Sequence, residues 1–160
     1  MKRRVAMRWP EIRDAVVGDA PVIAALACQL GYSTTTEEAA ARLGAVLTRG
    51  EDGVLVAEER RLVVGWAQVT PRHTVESGSF AELIALVVDE TRRNAGLGGR
   101  LVDAVEAWAR QRGFSTVRVR SNIARDAATH RFYRRRGYEQ VKVQAVYDKP
   151  LRAGRLQDPP

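Results

Sequence analysis

"DETRRNAGLGGRLVDAVEAWARQRG", Asp89 to Gly113, follows a dense apolar run and opens a helix-like pattern. Gly96, Gly98 and Gly99 lie just before that pattern; Leu101, Val105 and Trp108 share one helical face, and Gly113 lies past its end. Glycines between a strand and a helix let the backbone approach an anion and aim consecutive N–H groups at it. The helix N-terminus adds roughly half a positive charge. The same spacing also serves a plain strand-to-helix turn. A dinucleotide fingerprint G-x-G-x-x-G beginning at Gly96 needs glycine where Leu101 stands, and a Walker loop needs Gly-Lys-Ser/Thr where Gly99-Arg100-Leu101 stands. Both are excluded.

Working outward, "FAELIALVV" (80–88) is apolar almost throughout, as a central strand buried on both faces is. Before it, "IRDAV" reads as a strand, and Asp19 caps a helix that tolerates Pro21 in its first turn. That helix carries Val22, Ile23, Leu26, Ala27 and Leu30 and stops at Gly31. Thr35 and Glu38 have capping-box spacing for a second helix, with Ala39, Leu43, Val46 and Leu47 on its apolar face and Gly50 near its end. "VLVAE" and "LVVGWAQV" are strands joined at a charged "ERR" hairpin, and Pro71 opens the loop "PRHTVESGS". After the glycine loop come a strand at "STVRVRS", a loop around Asn122, the helix "AATHRFYRRRG" and a closing strand, "YEQVKVQAVYDKPL". The order is β-α-α-β-β-β-α-β-α-β. It describes one α/β (α+β mixed-sheet) domain over residues 12–151, between a flexible leader, 1–11, and a flexible tail, 152–160.

Composition narrows the class. With 160 residues, 45% of them hydrophobic and 28% charged, the chain can bury a core and is neither disordered nor fibrous. Its longest apolar run is far short of the roughly 20 residues a membrane helix needs. The basic N-terminus is not followed by the apolar region of a signal peptide. A single cysteine, Cys28, suits a reducing cytoplasm, and with no local histidine it reads as a small helical side chain rather than a nucleophile. The net charge of +7 serves nucleic acid or a polyanionic cofactor equally. With no zinc spacing, no RNA-binding strand signature and no bZIP heptad, nucleic acid ranks well below a small-molecule ligand.

Arg93-Asn94-Ala95-Gly96-Leu97-Gly98 resembles the pyrophosphate loop, Gln/Arg-x-x-Gly-x-Gly/Ala, of the GNAT superfamily of acyl-CoA-dependent N-acetyltransferases. "SNIARDAATHRFYRRRGY" is similar to the later family segment, in which Phe-Tyr precedes Gly-Tyr or Gly-Phe, and "IRDAVVGDAPVIAALACQLGY" to the N-terminal strand and helix. The likeness runs from Ile12 to Leu151. Asn94 stands where members often have glycine, and asparagine tolerates unusual backbone angles. The segment between Arg125 and Phe132 is one residue longer than the family pattern.

The resemblance implies a mostly antiparallel central sheet, flanked by helices and splayed between its fourth and fifth strands, with acetyl-CoA as donor and no metal. It puts the donor between Leu86–Val88 and Val117–Arg120, the pantetheine pairing with the backbone of Leu86, Val87 and Val88. One of those N–H groups would polarise the thioester carbonyl. Arg93, Asn94, Ala95, Gly96, Leu97, Gly98 and Gly99 are assigned to the pyrophosphate, and Asn122 joins the donor contacts. Tyr133 is the candidate acid for the departing thiolate, with Phe132 as its core-packing neighbour. Glu82 is the candidate base, its carboxylate needing desolvation or a water chain to serve; the bland alternative is a charged strand-end residue. His73 and Glu76 border the same region, whereas His130 reads as a helix-surface residue.

Arg134, Arg135 and Arg136 read as a solvated face; Arg92 and Arg100 join Arg93 as candidates for the CoA phosphates. Trp9, Trp66 and Trp108 read as packing aromatics. The expected reaction is acetyl transfer from acetyl-CoA to a primary amine. The rivals are an acyl-CoA sensor of the same fold without catalysis and a basic nucleic-acid-binding protein. The acceptor, which the family selects through Gln29–Leu47 and Arg72–Ser79, stays open among small amines, amino acids, aminoglycosides and protein amines. A homodimer is also left open.

Overall fold

The computed structural model describes residues 9–121 and 127–151. The chain divides into two compact units, one through Arg120 and one from Ser121. In the first, β1 (Glu11–Asp14), β2 (Gly53–Glu59), β3 (Leu62–Thr74), β4 (Gly78–Val88) and β5 (Val117–Val119) form one sheet in that order. The first three pairings are antiparallel and β4–β5 is parallel, so the mixed sheet expected from the sequence is present. Helices α1 (Ala20–Cys28) and α2 (Thr36–Arg49) pack on one face and α3 (Leu97–Gln111) on the other.

The faces follow from register. Trp66 stands opposite Val56 and Val87, and packs with Ile23, Ala24, Ala39 and Leu43 of α1 and α2. Gly65, one residue away, belongs to the opposite face, where a Cβ would come within 3.2 Å of Leu101 on α3. Leu101, Val102 and Val105 of α3 are fully buried there. Gly53 gives the same helix its closest approach: a Cβ there would meet the Trp108 indole nitrogen at 2.5 Å.

Local signals account for most boundaries. Thr35 and Glu38 form the expected reciprocal cap, each side chain taking the other's backbone N–H at 3.1 Å. The β2–β3 hairpin turns through Arg60 and Arg61, both left-handed (φ 51° and 68°), as a two-residue type I′ loop requires. Asp19 departs from expectation. Its carboxylate does not cap α1 but is gripped by the Arg13 guanidinium at 2.9 Å and by the Val16 N–H at 2.9 Å. Arg13 holds that carboxyl below the usual range and also reaches Glu58, tying β1 to β2.

Two expectations are corrected. Pro71 does not open a loop: β3 runs through it to Thr74 and pairs with β4 as far as Thr74↔Gly78. Its missing N–H is harmless because β2 pairing ends at Gly53↔Val69, so nothing on that side needs a donor. In the second unit α4 spans Ala127–Arg135, but the described residues after it form no strand. Val141, Val143, Val146 and Tyr147 stand exposed there. Alternation alone makes no strand without a partner to complete the ladder. No helix among the described residues is long and apolar enough to cross a membrane.

Candidate functional site

The last ladder bond of β4 is the Asp89 N–H to the Val64 carbonyl, 2.9 Å. The Asp89 carboxylate then accepts the Thr91 N–H at 2.8 Å and the Thr91 hydroxyl at 2.5 Å, folding residues 90–92 into a 3-10 turn. These bonds hold its carboxyl below the ordinary range. Gln29, just past α1, grips the same turn, donating to Asp89 at 3.3 Å and accepting the Glu90 N–H at 3.0 Å. Arg93 folds back, its Nε–H on the Val88 carbonyl at 3.3 Å. Asn94 (φ 62°) and Gly96 (φ 81°) supply the two left-handed steps that bring the chain into α3.

The first intrahelical bond of α3 is Arg100 N–H to Gly96 carbonyl, 3.2 Å. The N–H groups of Leu97, Gly98 and Gly99 therefore precede the ladder and sit at the positive end of the helix. Gly96, as the cap, supplies no side chain to take them. Residues 90–96 are exposed. Trp9 lies alongside, 3.5 Å from where a Gly96 Cβ would stand, with the Arg100 guanidinium 5.4 Å from its ring and bonded to the Pro10 carbonyl at 2.8 Å. This end of the helix can hold an anion without a basic side chain.

Among the described residues, no strand pairs with the edge of β4 that leads to this loop. β5 pairs only with Ala81, Glu82 and Leu83. Directly beyond, the β3–β4 register slips between Gln68 and Val69, leaving Ile84 as a bulge without an opposite residue. Counting back from the Asp89–Val64 bond, Val87 turns its N–H and C=O toward β3, while Leu86 and Val88 turn theirs to the open edge. The register thus divides the three residues assigned to pantetheine, with Leu86 and Val88 on the side where an extended ligand can pair and the Val88 carbonyl already taken by Arg93.

Glu82 lies one step before the splay, on the α1/α2 face, and only 1% of it is exposed. Its Oε2 accepts the Nε–H of Arg72 at 2.5 Å and its Oε1 the Nε–H of Arg120. Burial pushes the carboxyl up, but the Arg120 and Arg72 bonds outweigh it and hold Glu82 below its usual range. It is ionised at neutral pH and a weaker base than a free glutamate.

The second unit carries Tyr133 on α4. Its helix ends by a Schellman pair: Gly137 (φ 82°) donates to the Arg134 carbonyl at 3.0 Å and Tyr138 to the Tyr133 carbonyl at 3.1 Å. The hydrophobic contact typical of that motif is Tyr138 against Tyr133, ring centres 5.7 Å apart, and the Phe132 ring stands edge-on to Tyr133 at 5.0 Å. The Gly-Tyr after Phe-Tyr therefore fixes the ring of Tyr133.

The profile of the Acetyltransferase (GNAT) family matches residues 20–138. The chain belongs to the GNAT acetyltransferase family. It is 27% identical, over 147 residues, to the aminoglycoside N(6')-acetyltransferase type 1 of Stenotrophomonas maltophilia, covering 89% of this chain and 94% of that one. A solved putative acetyltransferase from Agrobacterium tumefaciens superposes with a TM-score of 0.76 at 27% identity, covering 87% of this chain and 99% of that one. An aminoglycoside N-acetyltransferase, AAC(6')-Iy, solved in complex with CoA superposes at 0.74 with 18% identity, covering 88% and 100%. The last likeness is one of fold.

Within this GNAT chain, Glu82, Leu86–Val88 and Arg93–Gly99 form one continuous path from β4 through the loop into α3. Tyr133 belongs to the second unit, and Asn122 lies outside the described residues. His73 bonds Ser79 at 2.8 Å, Glu76 lies in the β3–β4 turn and His130 on α4. Gln29, Arg72 and Arg120 stand in the sequence reading only as the bounds of longer acceptor and donor segments, with no role of their own. The first is a polar residue after a helix end, and the other two touch Glu82 only through strand pairing, so their spacing carried no signal. The described residues contain no cluster of three or more His, Cys, Asp or Glu suited to a metal.

Proposed function

We propose that the chain is an N-acetyltransferase moving acetyl from acetyl-CoA to a primary amine by direct attack in a ternary complex. The observation that carries this reading is the open edge of β4: past the Ile84 bulge, Leu86 and Val88 face outward and lead directly to the amides of Leu97, Gly98 and Gly99. An extended thioester arm with a diphosphate at its end fits that sequence of donors. Pantetheine pairs along Leu86 and Val88, the pyrophosphate rests on the amides of Ala95–Gly99, and Arg93 lies within reach of its charge. Membership in the family and the CoA complex of a fold relative support the choice of donor.

The neutral amine attacks the thioester carbonyl, whose oxygen is stabilised by an outward N–H of β4. The C–S bond then breaks, the thiolate takes the phenolic proton of Tyr133, the proton lost by the amine leaves through water, and solvent returns a proton to the Tyr133 phenolate. Glu82 takes part through such a water rather than by direct contact, because two guanidiniums occupy its oxygens. The aminoglycoside relative makes aminoglycosides one acceptor class to test. The experiment is thiol release from acetyl-CoA across an amine panel, beside calorimetric titration of acetyl-CoA. Binding with amine-dependent thiol release supports the transferase; binding without release from any amine supports a sensor; no binding overturns both.

A further inference from the structure

Arg72, Phe80, Glu82 and Arg118 form a tile on three adjacent strands. Arg72 stands opposite Phe80 across β3–β4, and Arg118 opposite Glu82 across β4–β5, so all four share the face on which α1 and α2 pack. Both guanidiniums are held in place. Arg72 is bonded through Nε to the buried Glu82 carboxylate at 2.5 Å, and the Arg118 guanidinium carbon lies over the buried Phe80 ring, 3.9 Å from its centre. Arg120, just past the end of β5, is bonded to the other Glu82 oxygen. Arg72 makes its Glu82 contact through Nε–H, the single inner donor of a fork that carries four more N–H groups.

The charge of the tile is positive. Among the described residues the tile sets the guanidiniums of Arg72 and Arg118 against the carboxylate of Glu82, which Arg120 also binds, and Asp52 lies a strand pair away. Asp52 is bound to the neutral Gln68 at 2.8 Å and Thr70 at 2.6 Å. Immobilised, planar guanidiniums match the oxygens of a carboxylate or phosphate monoester and lose little further entropy on binding one. They repel a polycation. The overall charge of +7 also favours encounter with anions.

The position matters as much as the charge. The donor path lies along the edge of β4 and onto α3, which covers the opposite face. The tile ends where β5 stops pairing at Leu83↔Val119, just before the Ile84 bulge. Two residues of strand span about 7 Å, the length of a small amine with an anionic end. We propose that Arg72 and Arg118 bind an anionic group, a carboxylate or a phosphate monoester, carried by the acceptor amine itself. The acceptor is then a small acidic amine rather than a polycationic aminoglycoside. This inference rests on the transferase reading and narrows it.

The test compares kcat/KM, by thiol release, for matched pairs: O-phosphoethanolamine against ethanolamine, and β-alanine against its carboxamide. The expected result is a preference of tenfold or more for the anionic member. Arg118→Gln should reduce that preference about tenfold, through KM, and Arg118→Lys should restore part of it. Arg118 is the better first variant because Arg72 supports the buried Glu82; Arg72→Gln follows once its fold is checked by circular dichroism. Dephospho-acetyl-CoA separates the sources of the anion. If Arg118→Gln weakens acetyl-CoA but not its 3′-dephospho form, the tile serves the donor's phosphate and the proposal falls. It falls too if acetyl-CoA binds and neutral or polycationic amines are turned over as well as the anionic ones, or if no anionic amine reacts; the donor site then stands. Absence of acetyl-CoA binding overturns the transferase reading and this inference together.

Discussion

Arg72 donates its Nε–H to the carboxylate of Glu82 at 2.5 Å, joining a half-exposed guanidinium on β3 to a carboxylate that is 1% exposed on β4. Removing the charge leaves two guanidiniums without their counter-ion. Charged hydrogen bonds contribute about 1.5–3 kcal/mol each when buried, but the arginines face solvent, so Glu82→Gln is expected to cost about 1–2 kcal/mol in urea denaturation at pH 7. The folded carboxyl lies below its unfolded value, near 4.3. Its contribution is therefore complete above that pH and is lost as pH falls through the lower, folded value. Thermal melts of wild type and Glu82→Gln should differ at pH 7 and converge in acid; a gap that widens in acid would show the opposite linkage.

The same pair fixes the expected pH–rate profile. Glu82 is already ionised at neutral pH, so no limb between pH 5 and 7 belongs to it. The rise of kcat/KM should follow deprotonation of the amine, near pKa 10 for a lysine-like acceptor. A limb near pH 6 that disappears in Glu82→Gln would make Glu82 the direct base after all.

Gly96 is left-handed (φ 81°) and its missing Cβ faces the Trp9 ring at 3.5 Å. Gly96→Ala forces a side chain into that backbone region, costing about 1 kcal/mol of stability, and tilts the amides of Leu97 and Gly98. Acetyl-CoA affinity, measured by calorimetric titration, should fall tenfold or more. Asn94→Gly, at φ 62°, relieves a left-handed residue and should leave affinity within about twofold. Equal losses in both variants would mean that loop conformation does not govern donor binding.

Gly53 faces the Trp108 indole where a Cβ would stand 2.5 Å from the ring nitrogen. Gly53→Ala must push α3 from the sheet or rotate the indole, an overpacking change worth about 1–3 kcal/mol. Urea denaturation followed by tryptophan fluorescence reads the loss directly; unchanged stability would show that the indole relocates freely.

What the sequence disclosed was local. Thr35-x-x-Glu38 announced α2, and the glycine pair announced the start of α3. Leu30-Gly31-Tyr32, Arg112-Gly113-Phe114 and Arg136-Gly137-Tyr138 repeat one device: glycine left-handed, and the following aromatic N–H returned to a carbonyl five residues back. The sequence marks Gly31 and Gly113 as glycine stops, without the aromatic's part. What stayed hidden depended on pairing. Pro71 looked like a loop because nothing in the chain says where β2 ends. The sequence offers Glu82 as a candidate base or a strand-end charge and gives no sign of Arg72 and Arg120, which reach it only through the register of three strands. "YEQVKVQAVYDKPL" has the alternation of a strand, but alternation states a preference and not a partner.

Tyr133 has its ring in edge contact with both Phe132 and Tyr138. Tyr133→Phe keeps both edge contacts and the helix end and removes only the hydroxyl. If that hydroxyl protonates the departing thiolate, kcat should drop about 100-fold, the lower range of a lost general acid, while the Kd for acetyl-CoA stays within about twofold. The loss should shrink for an acyl donor whose leaving group needs no proton, such as an aryl thioester of low thiol pKa. Tyr138→Phe, which also keeps its ring, serves as the comparison and should change kcat little. Full turnover in Tyr133→Phe, measured by thiol release with saturating amine, would remove Tyr133 from the mechanism and reduce its ring to a packing element of α4.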